Sequence, residues 1–199
     1  MSLGLIGELQ RALDAVAEDD GVRAIVIGAN GAIFCSGHDL KEGLANNTSS
    51  FTKKLTAACA HLMQTMVNQP QPVIAKVQGV ATAAGCQLVA TCDLAVAADS
   101  AHFATPGVNI GLWCSLPMVA VSRAVAPKHA LQMLLTGRLI NAQTALRFGL
   151  VNEVVPSDKL DQVVYELAAE IAAKSQYTVA LGKRAFYRIR RRIFFDTDI

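Results

Sequence analysis

The chain has 199 residues, 52% of them hydrophobic and 6% aromatic, and a formal net charge of +2. Its size and composition suit one domain with a substantial core built mainly from aliphatic side chains. Residues 183–199 hold six of the 18 basic and two of the 16 acidic groups, so residues 1–182 carry 12 basic and 14 acidic groups, a net charge of −2. This distribution argues against a nucleic-acid-binding body. The sequence has no apolar run of 18 residues, which argues against a membrane-spanning helix.

The five cysteines form no Cys-x-x-Cys motif, and no two of the four histidines are four residues apart. We therefore expect no metal site. Four cysteines have small or apolar neighbours, where a thiol acts as a small hydrophobic group, and their odd number favours a reducing compartment. No cleavable signal is recognised at the start, so we expect a cytoplasmic protein, or a mitochondrial-matrix protein in a eukaryote.

The first half of the chain alternates between helical and strand-like hydrophobic patterns. Apolar residues at helical spacing predict helices over residues 3–16 and 51–67. Continuous apolar runs predict buried strands over 22–29 and 73–77. A segment of small residues over 83–92 predicts a further helix soon after the second strand.

The second half continues this alternation. We expect strands over 94–98 and 151–155 and an extended segment over 102–105. Four more helices are predicted, over residues 117–125, 128–136, 141–148 and 160–171. Asn141 is the expected N-cap of the third of them, and Gly149 is the expected residue after its end. Strands that alternate with helices indicate an α/β fold.

The chain has no internal repeat and no flexible linker, so residues 1–187 are predicted to form one domain. After Tyr187 the hydrophobic periodicity is lost. Residues 188–199 are interpreted as an irregular basic tail, with a truncated or frame-shifted terminus as the other interpretation.

Two glycine-containing loops are the segments of the sequence that predict a functional site. The first is Phe34-Cys-Ser-Gly-His-Asp-Leu40, and the second is Thr82-Ala-Ala-Gly-Cys-Gln87, which opens the small-residue helix. The first main-chain N–H groups of a helix have no partner inside it and attract negative charge. Two such loops together would form an oxyanion hole, which stabilises charge that develops on a carbonyl oxygen.

In order and separation, the two loops resemble those of the crotonase (enoyl-CoA hydratase/isomerase) superfamily. The similarity runs from about residue 3 to residue 187. It includes Cys92-Asp-Leu-Ala-Val-Ala97, Phe103-Ala-Thr-Pro-Gly107, Leu135-Thr-Gly-Arg138 and the segment from Ala145 to Pro156. The stretch Gly111-Leu-Trp-Cys-Ser115 is similar to the branch described as enoyl-CoA hydratase domain-containing.

The resemblance implies a crotonase-like spiral of repeated ββα turns, assembled as a trimer or hexamer. It also implies an acyl-CoA thioester as ligand, so coenzyme A arrives on the substrate and no separate cofactor is expected. No nucleic-acid or membrane partner is implied. The family has a strand before its first helix, and helices for active-site capping and trimer contacts near its end. This chain is expected to lack both.

Carried over by position, the resemblance assigns the oxyanion hole to the main-chain N–H groups of His38 and Ala84. The backbone of residues 36–40 would lie against the adenine end of coenzyme A. The implied substrate-binding residues are Ser36, Gly37, Asp39, Leu40, Gly85, Gly107, Trp113 and Cys114. Gln87 and Ser115 are candidates for holding a catalytic water.

The two glutamates that the family's hydratases use fall at Gln87 and Gly107 in this chain. An amide can hydrogen-bond to water but does not take its proton near neutral pH, and glycine offers no side chain. No Asp or Glu occurs in residues 43–92 or 100–152. We therefore expect altered or weak lyase or isomerase chemistry on fatty acyl thioesters. Decarboxylation of a malonyl-type thioester fits best, because loss of CO₂ creates the enolate without a base.

Two other functions stay open at this point. The missing carboxylates and shortened ends also fit a non-catalytic acyl-CoA-binding protein or a regulatory subunit. A Ser/His/Asp hydrolase on the same fold would need a serine where Ala84 and Cys86 stand, and no base for the Cys86 thiol is evident nearby. The carboxylates of Asp39 and Glu42 are interpreted as loop caps, and the His38 side chain as incidental.

Overall fold

The computed structural model describes the backbone of residues 1–192 and the side chains of residues 1–190. Its helices are α1 Leu3–Ala17, α2 Leu40–Ala45, α3 Ser49–Asn68, α4 Ala84–Thr91, α5 Ser115–Ala124, α6 Pro127–Thr136, α7 Ala142–Phe148, α8 Leu160–Ala172 and α9 Gln176–Arg192. Its strands are β1 Ile25–Ile27, β2 Ile33–Cys35, β3 Val73–Val77, β4 Val80–Thr82, β5 Leu94–Ala98, β6 His102–Ala104, β7 Ile140–Asn141 and β8 Glu153–Val155. Short 3-10 helices cover Pro106–Ile110 and Ser157–Lys159.

The strands form two sheets, in the orders β1-β3-β5-β8 and β2-β4-β6-β7. Successive strands such as β3 and β4 lie in different sheets, and a helix then leads to the next pair. Only the β6–β7 pairing is antiparallel among the described strands. The α/β class is confirmed, and the topology is the repeated ββα turn that the resemblance implied.

Helix α4 lies in the centre of the core, between the sheets and α5. Seven of its eight residues are buried. Its side chains are mostly small, which allows the backbone to approach β2 and β4 closely. A second apolar cluster forms on the other side of the first sheet, where α8 covers Ile74 and Val96. The start of α4 therefore lies at the end of a sheet inside the protein, where a fixed site can form.

Most predicted elements are found within a few residues of their expected bounds. The strands over 73–77 and 94–98 are confirmed at their predicted ends. The strand expected over 22–29 is shorter, because only Ile25–Ile27 pair with β3. Asn141 caps α7 by accepting a hydrogen bond from the Thr144 N–H at 2.9 Å. Gly149 ends this helix with φ of 82°.

The end of the described chain differs from the prediction. An irregular tail was expected over 188–199, but α9 continues as a helix to Arg192. This prediction is wrong for residues 188–192, and residues 193–199 lie outside the described residues. Helix α9 leaves Leu181, Phe186 and Ile189 half exposed, and it is anchored by polar groups instead.

Candidate active site

The two glycine-containing loops meet where β2 ends and α4 begins. Gly37 has φ of 104°, and a Cβ placed on it would lie 2.9 Å from the Ala83 Cβ and 3.4 Å from the Ala84 nitrogen. A Cβ on Gly85 would lie only 2.0 Å from the Cys35 carbonyl oxygen. The Thr82 hydroxyl donates to the Ser36 carbonyl at 3.2 Å. Glycine at 37 and 85 thus allows the two backbones to touch.

Ala83 forms a strained turn immediately before α4. Its φ of 50° makes it the one non-glycine residue with positive φ in the described chain. Such a backbone costs about 1–3 kcal/mol and persists only where its surroundings fix it. Here the Ala83 N–H donates to the Ala104 carbonyl at 2.9 Å, and the Ala83 carbonyl accepts from the Gln87 N–H at 3.0 Å. The turn is therefore held from both sides, and a helix starts directly after a strand.

The main-chain N–H groups of His38 and Ala84 have no hydrogen-bond acceptor within the part of the chain that the structure describes. Their neighbours are paired: the Asp39 N–H donates to the Met1 carbonyl at 3.0 Å, and the Ala83 N–H is bonded as above. A buried main-chain N–H without a partner is rare in a folded protein. Since Gly37 adjoins the Ala84 nitrogen, the two unpartnered donors lie close to each other.

The nearest carboxylates are engaged elsewhere. Asp39 Oδ1 accepts the N–H groups of Lys41 and Glu42 at 2.9 and 3.1 Å and so caps α2. Glu42 Oε2 accepts the Leu3 N–H at 2.9 Å, at the start of α1. The interpretation of both acids as caps is confirmed. One oxygen of each carboxylate is thus occupied by main-chain N–H groups.

Gln87 lies one turn inside α4 and is only 4% exposed. Its Oε1 accepts a weak bond from the Cys59 thiol at 3.9 Å. A carboxamide carries both a donor and an acceptor, so this side chain can hydrogen-bond to a ligand or a water but does not take a proton near neutral pH.

The position of Gly107 is closed to any side chain. A Cβ there would lie 2.7 Å from the Leu112 carbonyl oxygen and 2.9 Å from the Cys114 Sγ. The Gly107 N–H donates to this sulfur at 3.3 Å. Residues 112–114 therefore fill the space in which a glutamate at this position would begin.

Comparison with known proteins decides the family. A family model described as Enoyl-CoA hydratase/isomerase matches residues 1–192. This chain belongs to the enoyl-CoA hydratase/isomerase family. The rat and human mitochondrial proteins named enoyl-CoA hydratase domain-containing protein 3 are 47% and 46% identical to it over 188 residues, 94% of this chain. The chain spans just under two thirds of these relatives, 63% of the rat and 62% of the human protein.

Solved structures agree with this assignment to the crotonase superfamily. The crystal structure of an enoyl-CoA hydratase from Mycobacterium smegmatis is 47% identical, with a TM-score of 0.93, over all of this chain and 76% of that one. The crystal structure of human enoyl-CoA hydratase domain-containing protein 3 is also 47% identical, with a TM-score of 0.91 over 94% of this chain and 74% of that one. Within residues 1–192, no helix is long and apolar enough to cross a membrane.

The remaining residues that family resemblance assigned to the site are more exposed. Leu40 begins α2 and is exposed, as is Ser36. Trp113 is half exposed, and its Nε1 donates to the Met118 sulfur at 3.3 Å. Ser115 is an exposed residue at the start of α5, and its hydroxyl donates weakly to the Trp113 carbonyl at 3.4 Å. No described hydrogen bond joins Ser115 to Gln87, so of these two water-holding candidates only Gln87 is buried beside Ala84.

Burial shifts the pKa of two titratable side chains near the loops. Cys86 is fully buried, and this burial, with the nearby Cys114, raises the pKa of its thiol to about 12. A protonated, inaccessible thiol is not a nucleophile, so the hydrolase alternative loses its only candidate. Burial, together with the Met1 amino group, lowers the pKa of His38. Its Nε2 is buried without a partner in the described chain.

Sequence reasoning missed a buried ion pair on the other end of α4. Lys183 Nζ lies 2.6 Å from Asp93 Oδ2, which also accepts the Val73 N–H at 2.7 Å. Tyr187 donates to Asp93 Oδ1 at 2.9 Å. Lys183 belongs to the basic C-terminal segment 183–199, yet its side chain is only 7% exposed. Asp93, in the motif Cys92-Asp-Leu94, could have predicted this pair, because an acid between a helix and a buried strand needs a partner.

Proposed function

We propose that this protein binds an acyl-CoA thioester and stabilises its enolate between the main-chain N–H groups of His38 and Ala84. The observation that carries the proposal is the pair of adjacent, unpartnered donors beside the strained Ala83 turn. Donors fixed in advance stabilise charge where it develops, and each one contributes about 3–4 kcal/mol to lowering a barrier of this type. The acyl-CoA chemistry of the family supports the choice of ligand.

The reaction best supported by the site is one that forms the enolate without a protein base. Gln87 cannot take a proton, position 107 has no side chain, and Asp39 and Glu42 cap helices. In a malonyl-type thioester, the bond between the α carbon and the carboxylate breaks, CO₂ leaves, and the electron pair passes to the thioester oxygen. A proton then adds at the α carbon. We therefore propose decarboxylation rather than hydration.

The oxyanion hole can be tested with ligands alone. Propionyl-CoA and S-propyl-CoA differ only in the thioester carbonyl, so calorimetry on this pair isolates the contribution of the two N–H groups. We expect the thioester to bind about tenfold more tightly, because a neutral hydrogen bond contributes about 0.5–1.5 kcal/mol and the carbonyl oxygen would accept two. Equal affinity for the two ligands would rule out the oxyanion hole.

The reaction is tested by incubating the protein with methylmalonyl-CoA and with crotonyl-CoA. We expect CO₂ release from the first and no loss of the enoyl absorbance of the second. Hydration of crotonyl-CoA at a rate typical of hydratases would contradict the proposal. Because the chain spans under two thirds of its curated relatives, the assay is best run on the longest natural form of the protein as well.

A non-catalytic acyl-CoA-binding or regulatory protein is the second candidate, and one observation favours it. Residues 112–114 occupy the space of the second family glutamate. At this position the protein has therefore replaced an acid–base side chain with packed atoms, and no empty space is left for one. Tight binding of both thioesters without turnover would establish this function. A cytoplasmic or mitochondrial-matrix location stays a prediction, and the mitochondrial names of the animal relatives support the latter for a eukaryotic protein.

A further inference from the structure

The side of α9 that is open to solvent carries an apolar stripe. Leu181, Ala185 and Ile189 follow one another at intervals of four residues, so they lie on one side of the helix. Leu181 is 46% and Ile189 is 59% exposed. Lys183 and Tyr187, which anchor α9 to the protein body, lie on the opposite side. The stripe therefore faces away from the body.

Positive charge borders this stripe. Helix α9 contains no Asp or Glu, and residues 183–192 hold six of the 18 basic groups of the chain. Arg184 and Arg188 are exposed, and neither forms an ion pair with a described residue. Arg184 lies one turn after Leu181, and Arg188 lies one turn after Ala185, so both arginines are neighbours of the stripe. Their charge is left for a partner outside the described chain.

An aromatic side chain widens the apolar area on the other margin. Phe186 is 53% exposed, and the Arg190 guanidinium lies 5.5 Å from the centre of its ring. Exposed phenylalanine, leucine and isoleucine beside arginine are typical of helices that lie in the interface of a bilayer. In that position the apolar side chains enter the acyl region, and the arginines stay at the level of the lipid phosphates.

We propose that α9 binds, through this outer face, the surface of a membrane that contains anionic phospholipids. The outer face comprises Leu181, Arg184, Ala185, Phe186, Arg188 and Ile189. The helix lies along the membrane surface, since no helix within residues 1–192 is long and apolar enough to cross a bilayer. This contact is independent of the thioester chemistry, because no residue of the outer face belongs to the candidate active site.

The combination of charge and apolar area favours a bilayer over other partners. Two copies of α9 placed face to face would bring Arg184 and Arg188 of both chains together, and like charges in one interface oppose binding. A nucleic acid would pair with the arginines, but residues 1–182 carry a net charge of −2 and add no wider basic surface. An anionic bilayer complements both the cations and the apolar side chains in a single contact.

Vesicle sedimentation with the 199-residue chain tests the contact. We expect binding to phosphatidylcholine vesicles that contain about 30% phosphatidylserine and little binding to phosphatidylcholine alone, since anionic lipid attracts basic segments. Raising the salt concentration from about 0.1 M to about 1 M should weaken the binding, because the screening length falls from about 10 Å to about 3 Å. Equal binding to both kinds of vesicle, or binding to neither, would overturn the inference.

Arg184→Gln with Arg188→Gln tests the charge. Each basic group near an anionic surface contributes roughly fivefold in affinity, so the double variant should bind about 25-fold more weakly. Lys53→Gln with Lys54→Gln is the matched control, because it removes the same charge from two exposed residues of α3. Its affinity should stay within about twofold of the wild type, since these lysines lie outside the contact. Equal weakening in the two pairs would show a dependence on net charge alone and would overturn the assigned face.

Leu181→Ser with Ile189→Ser tests the apolar stripe. We expect at least about tenfold weaker binding, because burial of each such side chain favours binding by about this factor or more. Leu5→Ser with Val119→Ser is the matched control, since both residues are 43% exposed on other helices, and it should bind as the wild type does. Wild-type affinity in Leu181→Ser with Ile189→Ser would contradict the role of the stripe.

Fluorescence of Ile189→Trp in a Trp113→Phe background reports the contact without relying on a loss of binding. Trp113 is the only tryptophan of the chain, so the remaining indole lies on the outer face. Lipids brominated on their acyl chains should quench its emission when the protein is bound. Bound protein without quenching would place the contact elsewhere and overturn the inference.

The longest natural form of the protein is tested with the same vesicles, because the chain spans under two thirds of its curated relatives. We expect that form to bind as well. Binding by the 199-residue chain alone would show that the outer face is covered in the longer protein, and the inference would be wrong. Binding to a nucleic acid in place of vesicles would also overturn it.

Discussion

At the scale of single residues, the candidate site depends on side chains that are absent. Gly37 and Gly85 allow the first loop to lie against the start of α4, and the two unpartnered N–H groups are neighbours only because of this contact. A methyl group at either position would separate the loops. The chemistry proposed here is therefore sensitive to the smallest possible increase in side-chain size.

Gly85→Ala tests this dependence. The added Cβ would lie 2.0 Å from the Cys35 carbonyl, so β2 or α4 must move. We expect a loss of stability of about 1–3 kcal/mol, as in other overpacked cores, and at least tenfold weaker thioester binding. Urea unfolding and calorimetry measure the two effects.

Gly182→Ala is the matched control, because Gly182 lies inside α9 with no atom within 4 Å of an added Cβ. That variant should gain about 0.5–1 kcal/mol from higher helix propensity and keep wild-type binding. Unchanged stability and binding in Gly85→Ala would show that the two loops are not in contact.

His38 gives the protein a pH-dependent stability. Its pKa is lowered in the folded state, chiefly by burial, so the unfolded chain binds more protons than the folded chain at and below the ordinary pKa of about 6.5. The contribution of His38 to the free energy of unfolding is therefore fully present above this pH and is lost as the pH falls. We expect the wild type to lose more stability than His38→Gln between pH 7.5 and 5.5, measured by urea unfolding. A wild-type loss no larger than that of the variant would contradict this.

At the scale of helices and strands, α9 is attached by polar contacts. Lys183 Nζ donates to the carbonyls of Met66 and Gln71, both at 3.0 Å, as well as to Asp93. Burial lowers the pKa of Lys183, and the contact with Asp93 opposes this shift. The pair joins α9 to the segment between α4 and β5, so it fixes the far end of the helix that begins at Ala84.

Lys183→Met should be strongly destabilising. It leaves the Asp93 carboxylate largely buried without its cation, and breaking a buried pair in this way costs about 3–5 kcal/mol. The matched control is Lys174→Met, since Lys174 forms an exposed pair with Glu170 at 3.8 Å and its loss should cost less than about 1 kcal/mol. Urea unfolding compares the two. Equal losses would show that α9 does not depend on Asp93.

The sequence predicted those helices, strands and caps that depend on interactions between residues close together in the chain. The strand Val73–Val77 and the cap at Asn141 depend on local apolar runs and on a local side chain, and both are confirmed. Helix α9, Gln176–Arg192, was not predicted from the sequence, because it is attached through Lys183 to a residue 90 positions earlier. The unpartnered hydroxyl of Thr105 was missed for the same reason, since the lack of a partner is visible only in three dimensions.

At the scale of the whole molecule, helix α6 presents an exposed apolar face. Leu131 and Leu135 lie on the same side of α6, and both are exposed, as is Leu139 just beyond the helix. Asn109 Nδ2 donates to the Gly137 carbonyl at 3.4 Å, which places the exposed Ile110 near this end of α6. Exposed apolar patches of this kind mark interaction surfaces.

We expect this face to support the predicted self-association. Sedimentation at micromolar concentration should show a trimer or hexamer, and Leu131→Glu with Leu135→Glu should shift it towards monomer, because charge is costly in a buried interface. Leu5→Glu, at a half-exposed leucine of α1, is the control and should leave the assembly unchanged. A monomeric wild type would contradict the expectation, and dissociation by the control would place the interface elsewhere.

The packing around Gly107 constrains how this protein and a two-glutamate hydratase could be related by descent. Because the Leu112 carbonyl and the Cys114 sulfur occupy the space next to its Cα, a glutamate codon arising there first would damage the fold before it contributed any activity. An ancestor could pass between the two forms only by reshaping residues 112–114 before exchanging the residue at 107. Packing thus sets an order for the substitutions, with residues 112–114 changing before residue 107.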